Sequence, residues 1–336
     1  MTSRWARIAG LGSALPDRVV TNDDLTAMGV DTSDEWIRTR TGIGARRFAA
    51  EGDSTSSLGA EAARRALDAA GLDPGSVDLT ICATFTGDQP LPSTASFIQE
   101  RLGVTGAAFD LAAACAGFIY AAGVGAAQIQ TGSAETVLIV GSEVMSGYLD
   151  MEDRTTCVLF GDGAGAAVLV PGEDPGIVGS VLENDGRHAR ILQVPEGGSS
   201  PPSGPAAGLG GRFIRMQDGR EVFKRAVRGM ADAAGRLLEK EGLALDDVDL
   251  LVPHQANARI IRAVADRLSF PADRVYVDLE RVGNTSAASV PIALDHAWRE
   301  GRLRAGSLVL TAAFGAGLSW GANLIRWTAE PPRGDA

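Results

Sequence analysis

At 336 residues, with 45% hydrophobic and 22% charged side chains, the chain has the composition of a folded globular protein, which excludes disordered and fibrous classes. That length suggests two structural units and is enough to bury a full core. Lys and Arg number 31 against 42 Asp and Glu, and the resulting net charge of −11 disfavours nucleic acid and anionic membrane surfaces as partners. Cys82, Cys115 and Cys157 have no C-x-x-C spacing, and His188, His254 and His296 have no metal-ligand spacing, so reduced thiols, no metal and a cytoplasmic location are expected. The N-terminal run to Arg18 has no apolar stretch of signal length before Pro16 and Asp17, so no export is expected.

Short apolar runs over 79–85, 136–143, 165–170, 249–253 and 307–314 alternate with helical patterns such as 56–72 and 221–243, which predicts an α/β chain. The uncharged Ala/Gly-rich stretch from Leu111 to Ala127 falls short of a membrane span and reads as a buried core helix. The segment 195–211 is a Pro/Gly/Ser excursion, expected to be a mobile surface loop, either a tolerated linker or a cover over a site.

The chain also resembles itself. SVDLTICATF (76–85) returns as DVDLLVPHQA (247–256), Asp249 falling 171 residues after Asp78, and VLIV at Val137 returns as LVLT at Leu308 with the same offset. Asp110 answers Asp278 at an offset of 168. Two copies of one strand-helix-strand-helix-strand unit predict a duplicated, layered fold with helices between and outside two sheets. The expected halves are 1–175, carrying Cys115, and 176–336, carrying His254 and Asn284. The symmetry would bring Cys115 and Asn284 to one crevice, with His254 at a matching strand end.

Several motifs carry no chemistry. G-x-G-x-x-L at Gly10 is followed by Pro16 where a phosphate-binding helix should begin. FGDGAGAAVLV (160–170) runs from a turn into a strand and has no Lys for phosphates. GLSWG (317–321) matches a nucleophile elbow, but ANLIRW after it alternates like a strand. Asn284-Thr285-Ser286 matches a glycosylation acceptor, which has no meaning without export.

Cys82 and Cys157, inside strand-like runs, read as inert buried thiols. Cys115 follows a strand and opens a helix, where unpaired N–H groups and the dipole favour thiolate. Its small neighbours Ala114, Ala116 and Gly117 leave room for a bulky acyl group. Together, Cys115, His254 and Asn284 form a candidate triad.

DLAAACAGF (110–118), PHQANARI (253–260), GNTSAASVPIAL (283–294) and DTSDEWIRTRTGI (31–43) closely resemble the β-ketoacyl-acyl-carrier-protein synthase III family of the thiolase superfamily, over nearly the whole chain. The resemblance implies a thiolase-like duplicated αβαβα fold. The Cys-His-Asn set separates the chain from elongating ketosynthases, which use two histidines, and the GNTSAAS context separates it from chalcone-synthase-like enzymes.

The implied reaction is a decarboxylative Claisen condensation that initiates fatty-acid or polyketide chains, with acyl-CoA and malonyl-acyl-carrier protein as substrates and no cofactor. Cys115 would hold the acyl group, and the N–H groups of Cys115 and Ala316 would form the oxyanion hole. Many relatives carry Gly at the position of Ala316. His254 and Asn284 would stabilise the enolate, and Phe314 would wall the departing carboxylate. The family pattern maps CoA onto Thr32, Trp36, Arg40 and Arg154 at its adenine end, with Gly219, Phe223 and Asn257 along the pantetheine arm. Arg220 stands where well-known members carry Asn. An Arg cluster (Arg38, Arg40, Arg46, Arg47) reads as a positive patch suited to CoA. Lys224, Arg259 and Arg267 match carrier-protein docking positions. Leu91 matches the residue that closes the acyl pocket from the partner subunit, hinting at a short or branched primer. The resemblance also implies a homodimer, with the Leu111 to Ala127 stretch and the strands beside it as candidate interface.

Two other readings stand beside this one. An acyltransferase could pass the acyl group from Cys115 to a hydroxyl, amine or carrier thiol without condensation, and a non-enzymatic carrier-protein-binding partner could retain a vestigial site. A simple transfer needs no enolate site, so intact His254 and Asn284 favour condensation.

Overall fold

The computed structural model describes residues 4–199 and 211–329. In chain order the first sheet and its helices comprise β1 (Trp5–Ala14), α1 (Asp34–Thr41), α2 (Thr55–Ala70), β2 (Leu79–Ala83), α3 (Thr94–Leu102), β3 (Ala107–Leu111), α4 (Gly117–Gln130), β4 (Val137–Glu143) and β5 (Gly163–Gly172). The second set comprises β6 (Ile177–Asn184), α5 (Gly219–Glu241), β7 (Leu250–Pro253), α6 (Ala258–Leu268), α7 (Ser289–Arg299), β8 (Leu308–Gly315) and β9 (Ser319–Arg326). Residues 200–210 of the Pro/Gly/Ser excursion lie outside the described residues; at its base, Glu196 N donates to Gly211 O at 2.9 Å.

The first sheet has the order β1-β5-β4-β2-β3, antiparallel through β4 and parallel from β4 to β3. The second runs β6-β9-β8-β7 with the same succession of directions, antiparallel through β8 and then parallel. Its fifth position is reduced to a single parallel bridge between Leu251 and Val275. Helices α2 and α3 cover the outer face of the first sheet, α5 and α6 that of the second, while α4 and α7 touch both sheets and form the middle layer. The result is an αβαβα sandwich, the thiolase-like fold class expected above.

Local sequence explains the outer helices. Ser54 accepts from Ser57 N and starts α2, Ser93 accepts from Ser96 N and starts α3, and Asn257 accepts from Arg259 N and starts α6, each satisfying a donor that the helix cannot. Asp110 on β3 adds a second tie, its carboxylate accepting from Thr94 N at 2.7 Å and Ala95 N at 2.8 Å at the head of α3. Its counterpart Asp278 serves differently, bonding His296 Nδ1 at 2.7 Å and Arg281 at 2.6 Å.

The middle helices are apolar almost all round because both faces meet a sheet. On α4, Phe118, Ile119, Ala122, Ala126 and Ile129 are buried within this chain. This corrects the expectation of an interface helix: the Leu111 to Ala127 stretch is mostly interior, and only the strand before it reaches an edge. That edge strand, β3, leaves Phe109 39% exposed. On α7, every residue from Ser289 to Asp295 is buried, and Pro291 falls in the first turn, where an N–H is not needed. Truncating a core side chain such as Ile119 to Ala would cost about 2–5 kcal/mol. Among the described residues no helix is long and apolar enough to cross a membrane.

Candidate active site

Each middle helix is entered through a one-turn 3-10 segment, Ala114–Ala116 before α4 and Ser286–Ala288 before α7. The first residue of each lies in the left-handed region, Ala114 at φ 46° and Ser286 at φ 50°, a conformation that costs a non-glycine residue energy. These two strained turns face each other across the molecular centre, and Cys115 sits on the first. Gly315, ending β8, makes the approach possible, because a Cβ there would stand 2.6 Å from the Cys115 nitrogen.

Cys115, His254, Asn284 and Phe314 line one cavity of about 160 Å³, mostly apolar, with Phe223 and Asn257 on its wall. His254 follows directly on β7, and its N–H donates to Ala312 O on β8 at 2.8 Å. Its Nδ1 lies 2.6 Å from Ser289 Oγ, at the start of α7. Gln255 N donates weakly to that same oxygen at 3.5 Å, and with Nδ1 engaged by Ser289 the ring nitrogen left for the cavity is Nε2. Asn284 accepts at Oδ1 from Ser286 N at 2.9 Å, leaving its Nδ2 hydrogens to the cavity. The backbone of Asn284 is fixed between Leu159 and Gly161 by bonds of 2.9 and 3.0 Å.

Electrostatically both titratable members rest neutral. Burial pushes the Cys115 thiol up to about 12, opposed by its hydrogen bond to Ser286. This corrects the expected thiolate: the helix end is present, but desolvation outweighs it. Burial likewise pulls His254 down to about 3, so it is a neutral imidazole throughout the neutral range.

A second cavity of about 370 Å³ opens on the other side of Cys115, walled by Phe85, Met145, Val194, Ile214 and Ala316. Phe160 and Leu192 line both cavities together with Cys115. Leu91 lines neither cavity of this chain and is 83% exposed.

The remaining predicted residues divide. Gly219, Phe223 and Asn257 line the Cys115–His254 cavity, whereas Thr32, Trp36, Arg40 and Arg154 do not. Arg40 and Arg154 stand over the Trp36 ring at 5.3 and 5.1 Å from its centroid, and Asn257 Nδ2 donates to Arg40 O at 3.2 Å, joining that cluster to the cavity wall. Thr32 Oγ1 is buried without a hydrogen-bond partner. The four-arginine patch does not exist. Arg46 is fully buried on Val20 O, Asn22 Oδ1 and Val158 O, burial lowering it to about 10. Arg38 is held by Asp34 and Glu280 at 2.9 and 2.8 Å, and Arg47 by the carbonyls of Pro16 and Asp17, leaving Arg40 on the Trp36 ring. Lys224 and Arg220 on α5 and Arg259 on α6 are exposed, while Arg267 is engaged with Asp232 at 3.0 Å. Sequence reasoning missed Glu143, Ser286 and Ser289 as parts of the site. Ser286 had a signal, since it lies 171 residues after Cys115, the offset of the repeat itself.

The chain is similar to known proteins over nearly its whole length. The model of "3-Oxoacyl-[acyl-carrier-protein (ACP)] synthase III" matches residues 109–186, and that of its C-terminal part matches residues 238–327. A β-ketoacyl-[acyl-carrier-protein] synthase III of Roseiflexus sp. (strain RS-1) is 49% identical over 329 residues, covering 97% of this chain and 100% of the relative. The crystal structure of 3-oxoacyl-[acyl-carrier-protein] synthase III from Aquifex aeolicus VF5 superposes with a TM-score of 0.89 at 45% identity, over 96% of this chain and 100% of that one. The priming β-ketosynthase of the R1128 polyketide biosynthetic pathway gives a TM-score of 0.91 at 40% identity, over 98% of each chain. Two buried turns beside a cysteine and an asparagine, a histidine with one ring nitrogen free, and this likeness over nearly the full length lead to one conclusion: the chain belongs to the β-ketoacyl-[acyl-carrier-protein] synthase III family of thiolase-like condensing enzymes, acyltransferases that initiate fatty-acid synthesis.

Proposed function

We propose that Cys115, His254 and Asn284 divide a two-stage condensation between them. In the first stage the Cys115 sulfur attacks the carbonyl carbon of an acyl-CoA, the oxyanion is held by the N–H groups of Cys115 and Ala316, and CoA leaves as its thiol after taking a proton. In the second, malonyl-acyl-carrier protein occupies the same cavity and loses CO2. The charge that develops on the thioester oxygen meets His254 Nε2–H and Asn284 Nδ2–H, and the enolate carbon attacks the acyl-Cys115 carbonyl. The ring of Phe314, stacked on Trp320 at 6.3 Å, offers an apolar wall where a carboxylate is worse solvated than CO2.

The observation that carries this reading is that Oδ1 of Asn284 accepts from Ser286 N and Nδ1 of His254 is engaged by Ser289, so Asn284 Nδ2–H and His254 Nε2 are the ends left for the substrate. Plain acyl transfer needs no such pair, which favours condensation over the acyltransferase alternative. A Cys115→Ala variant is expected to lose covalent labelling by acyl-CoA while still releasing CO2 from malonyl-acyl-carrier protein. Labelling that persists would remove Cys115 from the nucleophile role.

The substrates follow from the same arrangement. The adenine end of CoA is assigned to Thr32, Trp36, Arg40 and Arg154, and the pantetheine arm to the wall at Gly219, Phe223 and Asn257. The acidic carrier protein is assigned to Lys224, Arg259 and Arg267, which lie on the packed pair α5 and α6. The acyl chain is assigned to the cavity beyond Leu192. A homodimer is proposed in which the edge strand β3 meets its copy and the exposed Leu91 serves the partner's acyl cavity. The halves 1–175 and 176–336 are proposed as the two copies of the repeat, and the location as cytoplasmic.

A further inference from the structure

If Cys115 rests as a thiol, its proton must leave before or during attack, and the structure offers a destination. Cys115 Sγ–H donates to Ser286 Oγ at 3.4 Å, and Ser286 Oγ–H donates to Glu143 Oε1 at 3.0 Å. Glu143 ends β4 and is wholly buried. Its other oxygen, Oε2, accepts from Thr84 Oγ1 at 3.0 Å, Phe85 N at 3.3 Å, Thr86 N at 3.1 Å and Thr86 Oγ1 at 2.6 Å. Five donors converging on one carboxylate in a water-poor interior favour its charged, proton-accepting form against the cost of burial. The strained φ of Ser286 places its hydroxyl on this line while its N–H fixes Asn284.

We propose that Glu143 is the proton acceptor for Cys115, reached through the Ser286 hydroxyl. The proposal rests on the reading of Cys115 as nucleophile. As the S–H bond breaks, its proton binds Ser286 Oγ while the Ser286 hydroxyl proton passes to Glu143 Oε1. The sulfur forms its bond to the acyl carbon, the carbon–sulfur bond to CoA breaks with its electron pair on CoA, and the CoA thiolate takes a proton from solvent. Glu143 keeps its proton through the acyl-enzyme stage. When the enolate carbon displaces Cys115, the electron pair returns to sulfur and the proton returns from Glu143 through Ser286. One solvent proton is consumed per turnover, matching the loss of the malonyl carboxylate as CO2.

Burial raises Glu143 above the usual carboxylate range, against the pull of its hydrogen bonds, which brings it closer to the thiol it serves. The titratable groups that feel its charge are Cys82 on β2, Cys115 and Tyr148, all pushed up by burial and neutral beside it.

The test measures acyl-enzyme formation from acetyl-CoA by rapid quench across pH, alongside CO2 release from malonyl-acyl-carrier protein given alone. Wild type is compared with Glu143→Gln, Ser286→Ala and Cys115→Ala. Glu143→Gln and Ser286→Ala are expected to slow acylation about 10²-fold near neutral pH, with the remaining rate rising towards alkaline pH as hydroxide replaces the relay, and to lower CO2 release by a far smaller factor. Ser286→Ala keeps the buried carboxylate and decides the matter if Glu143→Gln does not fold. Wild-type acylation rates in both variants, or equal losses in both half-reactions, would overturn the relay. Labelling of Cys115→Ala would instead overturn the nucleophile itself, whereas an unlabelled Cys115→Ala beside fast-acylating Glu143→Gln removes the relay alone.

Discussion

The backbone N–H of Ser286 donates to Asn284 Oδ1 at 2.9 Å, and this bond decides which end of the amide the substrate meets. With Oδ1 taken, Nδ2 is the end offered to the cavity. In Asn284→Asp the Ser286 bond survives, but the second oxygen is an acceptor that repels an enolate. Condensation is expected to fall at least about 10²-fold while acylation by acyl-CoA stays near wild type, checked by measuring each half-reaction separately.

Ser289 plays the corresponding part for His254. Without its hydroxyl the imidazole loses the partner that holds the ring at Nδ1. Ser289→Ala should lower the condensation rate at least about tenfold with KM for acyl-CoA unchanged. An unchanged rate of CO2 release would show that the ring is held otherwise.

Stability should carry the signature of a buried neutral histidine. His254 titrates near 3 in the folded protein against an unperturbed 6.5, so below 6.5 the unfolded chain binds a proton that the folded one refuses. The contribution is intact above pH 6.5 and is lost as pH falls towards 3, at about 1.4 kcal/mol per pH unit. Urea unfolding of wild type and His254→Gln between pH 7 and 4.5 isolates it: the difference in stability between the two should change with that slope, and parallel curves would contradict it.

Trp36 lies outside the cavity, so its loss should affect binding and spare chemistry. Stacking and cation-π contacts are worth about 1–2 kcal/mol, and Trp36→Ala should therefore raise KM for acyl-CoA about tenfold at nearly constant kcat. Steady-state kinetics on one acyl-CoA suffices to check this.

The architecture was legible because the repeat is written in the strands: Leu79 and Leu250, Val137 and Leu308 open equivalent strands at one offset. The same offset joins Cys115 to Ser286, yet Ser286 reads as an ordinary polar residue until the two turns are seen in contact. Glu143 gives no local sign of its place, since four of its five donors come from the chain after β2, nearly sixty residues earlier, and the fifth is Ser286. The arginines from 38 to 47 misled for a related reason. Their nearness in sequence is undone by a helix end and a short strand that turn Arg46 inward and Arg38 onto acidic partners. An apolar helix such as α4 announces that it will be covered, but not whether its own chain or a partner covers it, and here both sheets of one chain do.

The central claim, condensation through an acyl group carried on Cys115, is tested most directly by intact-protein mass spectrometry after exposure to a panel of acyl-CoAs, followed by a chase with malonyl-acyl-carrier protein. One acyl adduct on Cys115 that disappears as β-ketoacyl-carrier protein and CO2 form is the predicted result, and the panel identifies the primer. An adduct that survives the chase and discharges only to another nucleophile would contradict the account.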